Sequence, residues 1–289
     1  MTSREEWIAG ARPKTLHAAI APVFVGTAFA GYNASALNFF LALIVGLGLQ
    51  VGVNYANDYS DGIKGTDLDR IGPMRLVGSG AATPEAVKRA ALIAMGIASI
   101  AGVLLAARSS WLLLVLGALS IVAAWTYTGG PKPYGYYALG EVSVFIFFGL
   151  VATLGTYFAH VGSISFEVLL ASFAMGSLAC AILVLNNLRD LEKDKNSGKI
   201  TLSVKIVDAQ TRKLFQGLLF APLLFALALL PTSFYFLLAL IALPQVLKVS
   251  SSIRSGATGK ALIELLERTG KIQIIYSLAL SLATLLYAR

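Results

Sequence analysis

Asn54-Tyr55-Ala56-Asn57-Asp58-Tyr59-Ser60-Asp61 closes an apolar run that carries no charge between Leu37 and Asn57. A second apolar run closes the same way, in Asn186-Asn187-Leu188-Arg189-Asp190-Leu191-Glu192-Lys193-Asp194, with amides first and carboxylates after. Read as helix, Asn54, Asp58 and Asp61 fall at i, i+4 and i+7, and Asn186, Asp190 and Asp194 at i, i+4 and i+8, so each set forms one polar stripe. Both stripes stand at the C-terminal end of a helix, where the macrodipole disfavours further carboxylates by a few tenths to about 1 kcal/mol each. Something positive has to compensate. A divalent cation is the simplest partner, since Mg²⁺ takes oxygen ligands and is usually held by one or two carboxylates together with substrate phosphates. Solvated loop starts are the plain reading of either cluster alone, and the matched pair argues against it.

Composition sets the environment of these stripes. The 289 residues are 57% hydrophobic and 13% charged, with a mean hydropathy of +0.75, which places the chain among integral membrane proteins. The net charge of +8 comes from basic residues scattered in short connections, with no continuous face for nucleic acid. Cys180 is the single cysteine and lies in an apolar run, so no disulfide framework exists. The polar, basic Met1–Lys14 segment leads into a first span and not a cleavable signal.

A span needs about 20 residues to cross the hydrocarbon, and nine fit: about Thr15 to Tyr32, Leu37 to Asn57, Val87 to Ala107, Trp111 to Tyr127, Leu139 to Ala159, Phe166 to Leu188, Leu214 to Leu230, Phe234 to Ser250 and Ile272 to Ala288. The fold expected is all-α, a single membrane domain over residues 1–289. Basic residues enrich cytoplasmic loops. Of the 23 Lys and Arg, all but Arg108 and Arg289 fall on alternate connections, which predicts a cytoplasmic N-terminus and an outside C-terminus. Both stripes then face the cytoplasm. The connections after them, about Tyr59 to Ala86 and Leu191 to Lys213, are expected to be the long polar loops where function concentrates.

In the first loop, Asp61-Gly62-Ile63-Lys64-Gly65-Thr66-Asp67-Leu68-Asp69-Arg70 precedes Gly72-Pro73-Met74-Arg75-Leu76-Val77. Glycines at that density let backbone N–H groups approach an anion, and Arg75 or Lys64 can pair with phosphate oxygens. In the second, Lys199 is the phosphate candidate, while Lys193 and Lys195 are read as facing water. Trp125, Tyr134, Tyr136 and Tyr137 read as interfacial anchors. Tyr127 and Lys132 stand out by sharing the stripes' side of the membrane, and Glu141 is an acid at the edge of the fifth span. Arg12 and Lys14 open the first span and satisfy the positive-inside rule. His17 and His160 are expected at opposite faces, which supports no histidine metal site.

Together these segments resemble the UbiA-type intramembrane prenyltransferases, which have two Asp-rich motifs on the cytoplasmic ends of two helices in a nine-helix bundle. The likeness covers nearly the whole chain. Asn57-Asp58-Tyr59-Ser60-Asp61 resembles the first motif and Asp190-Leu191-Glu192-Lys193-Asp194 the second. Arg12-Pro13-Lys14-Thr15, Gly72-Pro73-Met74-Arg75-Leu76-Val77, Tyr127-Thr128-Gly129-Gly130-Pro131 and Gly198-Lys199-Ile200-Thr201-Leu202 are similar to the 1,4-dihydroxy-2-naphthoate polyprenyltransferase branch of menaquinone synthesis. Two departures are Val207, where the family has a glycine, and Lys132, often apolar in this branch.

The resemblance implies a multi-pass enzyme of the cell (inner) membrane that uses Mg²⁺, or Mn²⁺, held by Asp58, Asp61, Asp190 and Asp194 around a cytoplasm-facing cavity. Polyprenyl diphosphate and an aromatic acid would be the substrates, with CO₂ and diphosphate lost. Substrate contacts would come from Asn54, Asn57, Arg75, Asn186, Asn187, Lys199 and Lys132. Arg12 or Lys14 would take the aromatic carboxylate and Tyr127 would stabilise an allylic cation. An acceptor such as 4-hydroxybenzoate is the close alternative. A transporter is the reading from another class, disfavoured because the ionisable residues gather at one face and the span middles are nearly uncharged. Prenyl chain length and oligomeric state leave no pattern in the chain.

Overall fold

The computed structural model describes residues 2–65 and 74–288. Helix α1 (Arg4–Ala11) is a short surface helix started by a capping box, in which the Ser3 hydroxyl accepts from the Glu6 N–H while the Glu6 carboxylate accepts from the Ser3 N–H. The membrane-embedded part follows as α2 (His17–Phe29), α3 (Ala36–Ile63), α4 (Pro84–Arg108), α5 (Leu112–Thr126), α6 (Gly140–Val161) and α7 (Phe166–Arg189). It continues with the short α8 (Leu191–Asn196), then α9 (Leu202–Ala228), α10 (Phe234–Arg254) and α11 (Lys260–Tyr287). Among the described residues seven helices are long and apolar enough to cross a membrane, and the two remaining expected spans hold the shorter apolar helices α2 and α5. The chain is a multi-pass, all-helical membrane protein.

Two helices begin well before the apolar runs that announce them. α9 starts at Leu202, with a break of non-helical backbone at Val207, and α11 at Lys260, so much of the expected loop from Leu191 to Lys213 is helical. Their protruding turns carry the i, i+4 pairs Asp208–Arg212 and Glu264–Arg268, which support helix in water.

α7 is the central helix, with 83% of its most apolar window buried. Its Ala171, Ala174, Met175, Leu178, Val184 and Leu185 pack with α9, α10 and α11 into one core. A second core joins α3 and α4 beneath the chain that follows the first stripe, through Tyr55, Ala56, Leu76, Val87, Ala91 and Met95. α3 and α4 meet across small residues: a Cβ on Gly52 would stand 2.7 Å from Met95 Cγ. At one end of the bundle Asn38 donates to Ala159 O (2.8 Å) and accepts from Arg108 Nε (2.8 Å). His160 stands beside them, between Thr27 Oγ1 and the Ser35 N–H. Both stripes lie at the opposite end.

Candidate active site

α3 remains helical past Asn57 through Ile63, so the first stripe is continuous, and Asn54, Asp58 and Asp61, with Asn57 beside them, have separate partners. Asn54 donates to Ala11 O (2.9 Å) and Thr15 Oγ1 (3.2 Å), fastening the turn that carries Arg12. Arg12 itself sits at φ 54°, a left-handed backbone uncommon outside glycine. Asn57 Oδ1 accepts from Thr128 Oγ1 at 2.7 Å. Asp58 is fully buried and accepts the backbone N–H groups of Leu76 (2.7 Å) and Val77 (3.0 Å). Asp61 accepts from the Tyr136 hydroxyl (2.8 Å), and the Arg75 guanidinium lies 3.7 Å away.

The second stripe is broken where the spacing predicts one continuous helix. α7 stops at Arg189, and Asp190 (φ −93°, ψ 6°) is the joint before α8. The cause is local: Arg189 folds back to hold both Asp190 oxygens (2.7 and 2.6 Å) and Asn186 Oδ1 (2.8 Å). Asn187 donates to Glu141 Oε1 at 2.9 Å. Asp194, on α8, stands 3.8 Å from Lys199. Lys195 is exposed as expected, whereas Lys193 Nζ is buried with no hydrogen-bond partner among the described residues, contrary to its reading as water-facing.

The α5–α6 connection joins the stripes. Tyr136 lies between two ammonium groups, Lys64 Nζ at 5.0 Å and Lys199 Nζ at 5.4 Å from its ring centroid, while its hydroxyl reaches Asp61. A short parallel bridge, Ala138 N–H to Ile200 O (2.8 Å) and Ile200 N–H to Tyr136 O (3.2 Å), fixes this connection to the loop carrying Lys199. Tyr136 is thus a site residue that the sequence reading assigned to the interface. Its sequence signal is only its place in the aromatic connection that follows Tyr127. Tyr127 packs edge-on against Tyr134 at 5.5 Å, wedged by the bare backbones of Gly135 and Gly140. Burial pushes the Tyr134 phenol above the usual tyrosine range, opposed by its contact with Ser143, so it stays a donor to Ala123 O (2.9 Å).

A cavity of about 980 Å³ runs from this end into the bundle, apolar along its length. Asn54, Asn57 and Asp61 line it from α3, and Asn186 and Asn187 from α7. Arg12, Lys14, Arg75 and Lys199 stand on its wall with Tyr127. Lys14 is engaged with Glu267 at 2.5 Å on the exposed rim. Three expected ligands, Asp58, Asp190 and Asp194, are near the site but off the cavity wall, and Lys132 is exposed and apart from it. Thr66, Asp67, Asp69, Arg70, Gly72 and Pro73 lie outside the described residues.

Among the described residues no three His, Cys, Asp or Glu side chains are grouped to hold a metal. The donors that do converge are all oxygens, carboxylate or amide, which is the set that suits Mg²⁺. One or two carboxylates suffice for that ion when a phosphate completes its shell, so the residues fit such a cation.

Known proteins resemble the chain along nearly its whole length. The chain is 45% identical over 283 residues to the 1,4-dihydroxy-2-naphthoate octaprenyltransferase of Mycobacterium tuberculosis, covering 97% of each chain. It is 38% identical to the enzyme of the same name from Escherichia coli, covering 95% of this chain and 93% of that one. Among solved structures, a UbiA homolog from Aeropyrum pernix K1 superposes with a TM-score of 0.73 at 17% identity, covering 93% of this chain and 97% of that one. A UbiA homolog from Archaeoglobus fulgidus bound to DMAPP and Mg²⁺ superposes with a TM-score of 0.72 at 14% identity, covering 96% and 98%. The sequence pattern of the UbiA prenyltransferase family matches residues 19–262, and with that match the chain belongs to the family.

Proposed function

We propose that this protein transfers a polyprenyl group from polyprenyl diphosphate to 1,4-dihydroxy-2-naphthoate, with loss of CO₂ and diphosphate, in a reaction that requires Mg²⁺. The observation that carries the reading is the placement of two amide–carboxylate stripes and four cationic side chains at the polar end of one long apolar cavity. A diphosphate fits the charged end and an isoprenoid chain the apolar length. The mycobacterial and E. coli relatives favour dihydroxynaphthoate as acceptor over 4-hydroxybenzoate. The whole chain acts as one membrane-embedded domain, its cavity mouth and N-terminus on the cytoplasmic side of the cell membrane and its C-terminus outside.

Arg75 and Lys199 are the residues for the phosphate oxygens, because both are cationic side chains on the wall at the polar end of the cavity. Asp61 and Asn57 from the first stripe, with Asn187 and Asp194 from the second, are the oxygens for a divalent cation. Such a cation would neutralise the diphosphate against the carboxylates and stabilise it as a leaving group. The cavity wall excludes water while the allylic C–O bond breaks, and the Tyr127 ring faces the electron-poor carbon. A new C–C bond forms at the carboxyl-bearing ring carbon, and the bonding pair of the departing CO₂ restores the aromatic ring. Arg12, on the cavity wall, is the partner for the acceptor carboxylate, while Lys14 stands on the exposed rim. Asp58 acts by holding the Leu76–Val77 turn, which sets Arg75 in place. Asp190 likewise orders the α7–α8 joint.

The test is purified protein in nanodiscs, given polyprenyl diphosphate and either dihydroxynaphthoate or 4-hydroxybenzoate, with Mg²⁺, with Mn²⁺ or with chelator. Prenylated, decarboxylated product from dihydroxynaphthoate, dependent on the cation, is expected. Equal turnover with chelator, or preference for 4-hydroxybenzoate, overturns the reading.

A further inference from the structure

Glu141 stands at the start of α6, only 7% exposed and behind the cavity wall. Acidic side chains inside membrane proteins are costly and mark function by default. Two contacts and one unmet oxygen define its surroundings. Its Oε1 accepts from Asn187 Nδ2 at 2.9 Å, its backbone carbonyl accepts from the Cys180 thiol at 3.1 Å, and its buried Oε2 has no hydrogen-bond partner among the described residues. The first two tie α6 to α7 next to the second stripe. A carboxylate with one oxygen unmet is poor as mere structural glue.

The asymmetry between a carboxylate and an amide explains what it does. The Glu141 oxygen that faces Asn187 acts as the acceptor, taking a hydrogen bond from Nδ2 at 2.9 Å. The Asn187 side chain therefore has to turn its NH₂ toward Glu141, and its Oδ1 is left toward the cavity that Asn187 lines. The two ends of an amide have nearly the same shape, so without Glu141 nothing selects the oxygen. Asn186 is already committed, its Oδ1 accepting from Arg189. Asn187 lies three residues before Asp190 and seven before Asp194, on the approach to the second stripe.

We infer that Glu141 is a positioning residue that fixes Asn187 as an oxygen ligand for the divalent cation accompanying the diphosphate. The inference rests on the prenyl transfer proposed above. Its test needs neither acceptor nor prenyl chain: full-length protein in detergent is titrated with Mn²⁺ at fixed inorganic diphosphate, and the melting temperature is read as the binding signal.

Partners that orient a metal ligand typically contribute 10–100-fold to affinity, so Glu141→Leu and Asn187→Leu should each raise the half-saturating Mn²⁺ concentration about tenfold or more. Asn187→Asp alone sets two carboxylates against each other and should be equally impaired. The pair Glu141→Gln with Asn187→Asp should recover to within about threefold of wild type, because the introduced amide donates to the introduced carboxylate and leaves an oxygen toward the cavity.

The double variant decides the matter even if Glu141→Leu does not fold. If it is as impaired as Asn187→Leu, the NH₂ of Asn187 is the group the cavity needs, and the inference is overturned. Wild-type Mn²⁺ response in Glu141→Leu, or a shift confined to the KM of the aromatic acceptor, overturns it equally. So does a wild-type melting temperature that ignores Mn²⁺ and diphosphate. Absence of prenyl transfer with the Mn²⁺ pattern intact would strike the assigned reaction and leave the arrangement standing.

Discussion

Asp58→Asn separates a metal ligand from a structural latch, and the structure says which to expect. Both Asp58 oxygens accept backbone N–H groups, from Leu76 at 2.7 Å and Val77 at 3.0 Å, in a side chain with no exposure. Hydrogen bonds to a charged group contribute about 1.5–3 kcal/mol each. An asparagine keeps one acceptor and turns its NH₂ on the other donor, so one bond is lost and a buried N–H goes unmet. The combined cost is about 3 kcal/mol, the upper part of that range, and loosens the segment from Met74 to Ala82 roughly a hundredfold in local opening. That segment carries Arg75 to Asp61, and its Leu76 packs against Gly10 and Tyr55.

Hydrogen exchange read by mass spectrometry in nanodiscs is the assay, with peptides from α7 as internal reference. Amides of residues 76–82 should exchange about two orders of magnitude faster in the variant, α7 should be unchanged, and turnover should fall by a similar factor. Lost turnover with unchanged exchange would refute the latch and return Asp58 to the cation. Accelerated exchange with full turnover would refute the link between this segment and the chemistry.

Tyr136→Phe keeps the ring between Lys64 and Lys199 but removes the bond to Asp61; catalytic efficiency should fall about tenfold or more with the melting temperature nearly unchanged, and Tyr136→Leu should fall further. Arg75→Ala should raise the KM for prenyl diphosphate by at least about tenfold, consistent with a charge-assisted contact, whereas Lys132→Ala, on an exposed side chain away from the cavity, should match wild-type kinetics. Val207, at φ 60° and ψ 173° inside α9, occupies a backbone region suited to glycine. Relief of about 1–3 kcal/mol, less the entropy glycine adds to the unfolded chain, leaves Val207→Gly more stable by about 1 kcal/mol, a rise of about 2–4 °C by differential scanning fluorimetry; a lower melting temperature would count against the strain.

The spans were legible because hydrocarbon imposes a length and a composition on any helix that crosses it. The same logic explains where the reading stopped. Leu202–Leu214 and Lys260–Ile272 are helical yet polar, so hydropathy passed over them. Their i, i+4 pairs, Asp208–Arg212 and Glu264–Arg268, were the sign available. The stripes were legible as spacing, but the break at Asp190 was not. No Gly or Pro marks it, and it is produced by Arg189 turning back onto Asp190 and Asn186. Tyr136 was hidden for another reason: its partner Asp61 lies 75 positions away. An aromatic ring near a membrane surface has the same composition signal whether it anchors the bilayer or orders a carboxylate.

Carboxylates at a helix C-terminus call for something positive beside each stripe, and the protein answers first with its own side chains. They are held with very different strength. Arg189 grips Asp190 with two contacts of 2.7 and 2.6 Å, and both side chains are nearly buried. Removing one partner from a buried pair costs about 3–5 kcal/mol, so this pair is not given up easily. Asp58 is tied as firmly, to backbone. Arg75 and Asp61 are 3.7 Å apart, and Lys199 and Asp194 3.8 Å, distances beyond a hydrogen bond. These two contacts themselves forfeit little when a metal–diphosphate complex replaces them. Each stripe thus has one carboxylate fixed by short contacts and one, Asp61 or Asp194, whose ion pair to a cation of the cavity wall is long. Asp61→Asn and Asp194→Asn should therefore raise the half-saturating Mg²⁺ concentration about tenfold or more at nearly unchanged melting temperature, while Asp190→Asn should lower the melting temperature by several degrees. The reverse pattern, with Asp190→Asn changing only the Mg²⁺ requirement and Asp61→Asn only stability, would show that the tight pair is the one that opens for the substrate.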